Sequence, residues 1–323
     1  MMQKLRLLAA VLLLFTFSWT AGATPLPAEL LSAGRVDEAI QELRAHLQST
    51  PGDGEAYSLL ARAYYSLQRW DDAISAAQKA VAISPANSMY HLWLGRAYGE
   101  KAERASWFSA LSLARKLRSE FERAVQLDGS NVAARSDLSE FYMEAPGFLG
   151  GGKDKALAQA RLLDSSHPDV AHWIRARVAE KDKNYALAEQ EFRAAIQSAK
   201  HAAEPWLSLA AFYWRLGRLD DMEKAVHNAV LANPGSPDDH ALYDAAALLF
   251  RAGRDFPAVT DLLHQYLASR NTSAEAPLFQ AHFLLGSILE REGKKQEAAE
   301  QYRAALSLAA SFAPAQVALR RVQ

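Results

Sequence analysis

Hydrophobic residues recur along this chain at spacings of three and four, and the same local arrangement returns several times. Leu60-Ala61-Tyr64, Leu94-Gly95-Tyr98, Leu138-Ser139-Tyr142 and Leu209-Ala210-Tyr213 all read L-small-x-x-Y. A second pattern, A-x-x-x-(F/Y/A)-x-x-A, appears in Ala73-Ala77-Ala80, Ala188-Phe192-Ala195 and Ala298-Tyr302-Ala305. Such spacings put these residues on one helical face, and the small ones let a neighbouring helix come close. Gly34, Gly217, Gly253 and Gly293 fall where the first helix of a pair should end, and a second amphipathic segment follows each. Pro51, Pro85 and Pro234 close units, the first two 34 residues apart. The pattern predicts an all-α chain of antiparallel helix pairs, none able to bury its apolar face alone, which must stack.

These residues resemble the motif of the tetratricopeptide repeat family. The resemblance implies an α-α superhelix, a solenoid of tandem helix-turn-helix units. Units are expected at 25–53, 54–87, 88–131, 132–168, 169–202, 203–236, 239–272 and 279–312, with 313–323 as a capping helix and 24–323 as one solenoid. Agreement is weakest at 239–272, where Leu262 and Gln265 stand in the places of the aromatic and the alanine.

Two consecutive units break the period. After Tyr98 the next match, Phe121 and Ala124, arrives about ten residues late. Phe108, Leu111, Leu117, Phe121 and Val125 keep helical spacing, so the expectation is a second helix lengthened at its N-terminal end by about 15 Å, at 1.5 Å per residue. After Tyr142 the chain runs "MEAPGFLGGGKDKALAQA", about five residues more than the repeat needs. Both insertions should lie on one edge of the solenoid and touch. Phe148 and Leu149 are then expected to cover the overhanging helix near Trp107 and Phe108; the other reading makes these four residues an exposed apolar contact for a partner.

From Gly147 to Lys153 the same loop reads G-x-x-x-x-G-K. A phosphate loop needs a strand before it and Ser or Thr after the lysine, whereas here a helix precedes and Asp154 follows. The expected role is structural: Pro146 stops a helix, the glycines make a tight turn, and Asp154 favours the start of the next helix.

The chain has 323 residues and a net charge of −1, with 36 basic and 37 acidic side chains. That balance offers no bulk attraction for nucleic acid. Cysteine is absent, which removes disulfides, thiolate nucleophiles and cysteine-ligated metals. Lys4 and Arg6 precede the apolar run "LLAAVLLLFTFSW", and Ala21-Gly22-Ala23 offers a small-x-small cleavage site, so residues 1–23 read as a signal peptide rather than an uncleaved anchor. Export to the periplasm or the cell exterior follows, with no membrane span in the mature chain.

In the resembled family the first helices line a concave groove that holds peptides or protein segments. Carried over, the groove would present Arg62, Tyr65, Arg96, Trp173, Arg177, Trp214, Arg215, Tyr243, Phe250, Arg251, Phe283 and Arg291. Arginine with large aromatics suits a partner bearing acidic and apolar groups. The lysine and asparagine pattern of a carboxylate clamp for chaperone tails is absent. His167 and His172 lack the spacing of a metal motif, and Asp220-Asp221 and Asp238-Asp239 read as helix-start acids rather than a catalytic pair. The sequence implies a non-catalytic interaction scaffold without a cofactor. The competing readings are a nucleotide or phosphorylated-ligand protein using Gly147–Lys153 and a self-assembling repeat protein joined end to end.

Overall fold

The computed structural model describes residues 26–232, 240–269 and 273–323; residues 1–23, expected to be a signal peptide, and Pro234 and Asp238-Asp239 lie outside them. Among the described residues every regular element is helical. The helices alternate as first and second members of pairs. They are α1 (Pro27–Ser32) with α2 (Val36–Ser49), α3 (Gly54–Ser66) with α4 (Trp70–Ile83), and α5 (Ser88–Glu103) with α6 (Trp107–Leu127). Next come α7 (Val132–Glu144) with α8 (Lys153–Leu163), α9 (Pro168–Lys181) with α10 (Tyr185–Ser198), and α11 (Ala203–Arg215) with α12 (Leu219–Leu231). The series ends with α13 (Ala241–Ala252) and α14 (Phe256–Ala268), α15 (Leu278–Arg291) and α16 (Lys295–Leu308), and the single α17 (Ala313–Val322).

The repeat residues are the core. Ala73, Ala80, Ala188, Phe192, Ala298, Tyr302 and Ala305 are fully buried. Gly95 shows why a small residue follows the leucine: a Cβ there would stand 2.4 Å from the Phe121 ring, so only glycine lets α5 and α6 approach this closely. The four turn glycines all adopt the left-handed conformation, with φ between 67° and 78°. Gln68 and Lys183 take the same conformation in their own turns without being glycine, a departure the sequence pattern does not reveal. In the 239–272 unit the repeat places fall one residue later than the sequence pattern predicts: Val259, Leu263 and Tyr266 are fully buried, Tyr266 stands in the place of the closing alanine, and it donates to Ala276 O at 2.5 Å.

The lengthened unit is shared between two helices rather than assigned to one. α6 has 21 residues against 14 in α4, an overhang of about 10 Å at 1.5 Å per residue, and α5 has 16 against 13 in α3. The expectation of a 15 Å extension of α6 alone is corrected accordingly: Glu103 and the turn after it belong to the same overhanging hairpin.

First helices pack on first helices along the chain, forming a continuous inner layer. The superhelix then returns to its own start. Phe279 and Phe312 share one apolar cluster with Leu30, Leu31 and Val36, the Asp37 carboxylate accepts from Ser311 N and Oγ at 3.1 and 2.5 Å, and Gln280 Nε2 donates to Ser66 O at 3.0 Å. First and last units therefore meet, and the inner layer encloses space.

Candidate functional site

A cavity of about 760 Å³ lies inside this closed turn. α3 supplies Arg62, Tyr65 and Ser66; α5 supplies Trp93, Arg96 and Glu100; α7 supplies Asp137, Glu140, Phe141 and Glu144; Ala274, Glu275 and Gln280 close it from the other end of the chain. Asp137, Glu140 and Glu144 share one face of α7 because their spacings are three and four.

Its aromatic wall is a packed group. Tyr65 meets Trp70 and Trp93 edge-on, with ring centroids 5.2 and 5.5 Å apart. The Arg62 and Arg96 guanidiniums lie over Trp93, 5.1 and 5.0 Å from its centroid, and Arg104 covers Trp70 at 5.0 Å. Such stacking fixes arginine side chains that would otherwise be mobile. Burial, with Glu100 adding to it, pushes the Tyr65 hydroxyl well above its ordinary value, so it stays a donor, and it donates to Glu100 at 3.2 Å.

Three of the six arginines expected in the groove already have carboxylates. Arg96 Nε donates to Asp137 at 2.7 Å and its Nη1 lies 3.7 Å from Glu275. Arg177 donates to Glu180 at 2.8 Å and to Glu144 at 3.4 Å, and Arg215 donates to Glu180 at 2.5 and 2.9 Å. Arg62 differs. It makes no ion pair among the described residues, and its Nε is buried without a hydrogen-bond partner.

The lining counts six carboxylates (Glu100, Glu103, Asp137, Glu140, Glu144, Glu275) against three guanidiniums. Withdrawal from bulk water pushes the Glu140 carboxyl above its ordinary value; Arg177 opposes that push, and Asp137 and Glu144 add to it. Arg96, Arg177 and Arg215, chosen for their hot-spot chemistry, are matched internally, whereas Arg62, Arg251 and Arg291 make no ion pair among the described residues; the lining itself holds more carboxylates than guanidiniums, and Arg177 and Lys181 reach Glu144 from beside it.

Three of the twelve groove residues expected from sequence, Arg62, Tyr65 and Arg96, line the cavity. Trp173 lines a separate cavity of about 130 Å³ with Asp169 and Glu204. Trp214, Tyr243, Phe250 and Phe283 are half-buried against the core, filling gaps between helices. Arg251 covers Trp214 at 6.0 Å and Arg291 covers Phe250 at 4.2 Å. Sequence reasoning missed Trp70, Trp93 and the acids of α7; the i, i+3 relation of Trp93 to Arg96 and the acidic stripe on α7 were the available signals.

The insertions touch: Arg118 of α6 donates from Nη1 to Leu149 O at 2.9 Å. Leu149 is 6% exposed, while Phe148, Trp107 and Phe108 are 66, 68 and 84% exposed. Mutual covering of all four residues is corrected, because only Leu149 turns inward. The glycine loop offers no phosphate cradle. Gly150 N, Gly151 N and Gly152 N donate to Gly147 O, Pro146 O and Tyr142 O, and Lys153 Nζ lies 3.0 Å from both carboxylate oxygens of Asp182. A Cβ on Gly151 would come within 1.7 Å of Ala145 O, which explains that glycine structurally.

Comparison with known proteins agrees with this architecture. Models of the tetratricopeptide repeat match residues 30–98 and 279–312. No curated protein matches the chain. Among solved structures, yeast Tom70 aligns with a TM-score of 0.50 at 16% identity, over 88% of this chain and 59% of that one. A thermophilic tetratricopeptide repeat protein of Thermus thermophilus aligns with a TM-score of 0.45 at 20% identity, over 69% of this chain and 97% of its own. The chain has the fold of a tetratricopeptide superhelix, and its segments 30–98 and 279–312 are similar to the repeats of that family.

Proposed function

We propose that this protein is a non-catalytic scaffold that holds a segment of a partner protein inside the closed turn of the superhelix. The observation that carries this reading is the cavity bounded by α3, α5 and α7, with aromatic walls and six carboxylates to three guanidiniums. An extended segment bearing Arg or Lys suits it: a cation meets Glu140, whose ion pair with Arg177 is 4.0 Å long, beside Glu144, which Lys181 and Arg177 already hold; its aliphatic stem lies on Trp70 and Phe141, and Arg62 donates to a backbone carbonyl of the segment. Repeats of this type generally mediate protein–protein contacts. The reading includes export, supported by Lys4, Arg6, the apolar run and Ala21-Gly22-Ala23, and with it a role in envelope assembly, secretion or complex assembly. A mature N-terminus at Thr24 is the expected outcome of N-terminal sequencing.

Self-assembly end to end has less support, because α1, α2, α15 and α17 already pack together within one chain. Crosslinked capture from the native envelope fraction tests the main reading. Wild type is compared with Glu140→Arg, Glu144→Arg and with Trp107→Ser, Phe148→Ser, each verified by an unchanged helical melt. Loss of one defined partner only in the charge-reversed protein supports the cavity; loss only in the edge variant moves the function to the insertions.

A further inference from the structure

The ring formed by the inner helices has one place where the chain does not cross. Every other pair of neighbouring units is joined by the backbone as well as by packing. Between the first two units and the last there are non-covalent contacts without a peptide linkage: Leu31 and Val36 with Phe279 in one apolar cluster, the Asp37 carboxylate accepting from Ser311, and Gln280 donating to Ser66 O. Backbones also come close there. A Cβ on Gly34 would stand 3.1 Å from Leu278 N, so the left-handed glycine is what admits α15. A closed superhelix whose units stay folded is least constrained at this seam, where no peptide linkage holds the two sides.

The seam also completes the cavity. Arg62, Tyr65 and Ser66 come from one side of it, and Ala274, Glu275 and Gln280 from the other. The Arg96–Glu275 ion pair, 3.7 Å, spans the same gap.

We propose that the seam is a latch: the superhelix opens and closes between its first and last units, and the cavity exists only in the latched state. Closure and occupation of the cavity are then linked, so whatever binds there favours the closed ring, and a locked ring binds at least as well. The second half of this statement rests on the proposed cavity function; the first half does not.

The absence of cysteine makes the test clean. Asp37→Cys with Ser311→Cys should form a disulfide in the native protein under mild oxidation, because the wild-type side chains are in hydrogen-bond contact. Small-angle scattering should give this locked protein the wild-type radius of gyration. Asp37→Ala with Gln280→Ala, and separately Leu31→Asp, should give a larger radius at an unchanged helical circular dichroism signal. An arginine-rich peptide followed by fluorescence anisotropy should bind the locked protein as tightly as wild type and the opened variants at least tenfold more weakly. Failure of the disulfide to form, or equal radii for all proteins at equal helicity, overturns the latch. Equal peptide affinity in opened and locked proteins overturns the coupling. A peptide that binds neither, with the radii behaving as expected, removes the cavity reading and leaves the latch standing.

Discussion

Arg177 and Arg215, from successive first helices, converge on one carboxylate: Glu180 accepts from Arg215 Nε at 2.5 Å and from Arg177 Nη1 at 2.8 Å. Burial alone would raise the Glu180 carboxyl, but the two guanidiniums hold it below its ordinary value. A lowered folded-state value means the contribution is present above the unfolded carboxylate range and is lost as pH falls. Glu180→Gln should therefore cost about 2 kcal/mol at neutral pH, with two half-buried guanidiniums left short of a counter-charge. In urea melts the gap between wild type and variant should close toward pH 3; a gap that stays constant with pH contradicts the pairing.

His240 sits between Asp244, whose Oδ2 is 2.6 Å from its Nδ1, and Glu275, 3.6 Å from its Nε2. The hydrogen bond to Asp244 and then the nearby Glu275 carboxylate raise the imidazole to about 10. With the folded value above the unfolded one, the stabilisation is complete below the unfolded value of 6.5 and disappears as pH rises through about 10. Histidine resonances followed by NMR should show one ring still protonated at pH 8. Stability measured from pH 7 to 10 should fall more in wild type than in His240→Gln.

The insertion edge separates anchor from display. Leu149→Ala should cost about 2–4 kcal/mol, as for other buried leucines. Phe148→Ser and Trp107→Ser should each stay within about 0.5 kcal/mol of wild type, since little of either side chain is covered. Thermal melts of the three single variants check this, and a large loss for Phe148→Ser would mean that its ring is packed in solution.

The glycine loop should bind no nucleotide. Titration calorimetry with ATP and magnesium should give no heat of binding, and Lys153→Ala should cost no more than about 1 kcal/mol, the worth of an exposed ion pair to Asp182. Magnesium-dependent binding abolished by Lys153→Ala is the contrary result.

The fold is readable in the sequence because its rules are local. Ala77, Tyr64, Gly95 and Gly217 each state a requirement of helix packing or turn geometry that the same few neighbours in sequence satisfy. The site is much less readable. Arg96 and Arg177 look like free binding groups in a sequence, and only the structure shows that Asp137 lies 41 residues and Glu144 33 residues from them in sequence yet within hydrogen-bond reach. Closure is harder still: Asp37 and Ser311 are 274 positions apart, and their meeting depends on small rotations accumulated over every intervening repeat. Phe148 and Leu149 are adjacent and chemically alike, so periodicity does not say which one turns inward inside an irregular loop.

The most direct test of the partner reading is a competition between peptides of equal length and aromatic content but opposite charge, measured by anisotropy on the protein and on Glu140→Gln, Glu144→Gln. The account predicts that the Arg/Lys peptide binds, weakens with added salt, and loses about 1–3 kcal/mol of affinity in the double variant. Preferential binding of the Asp/Glu peptide, or a basic peptide indifferent to both substitutions, would contradict it.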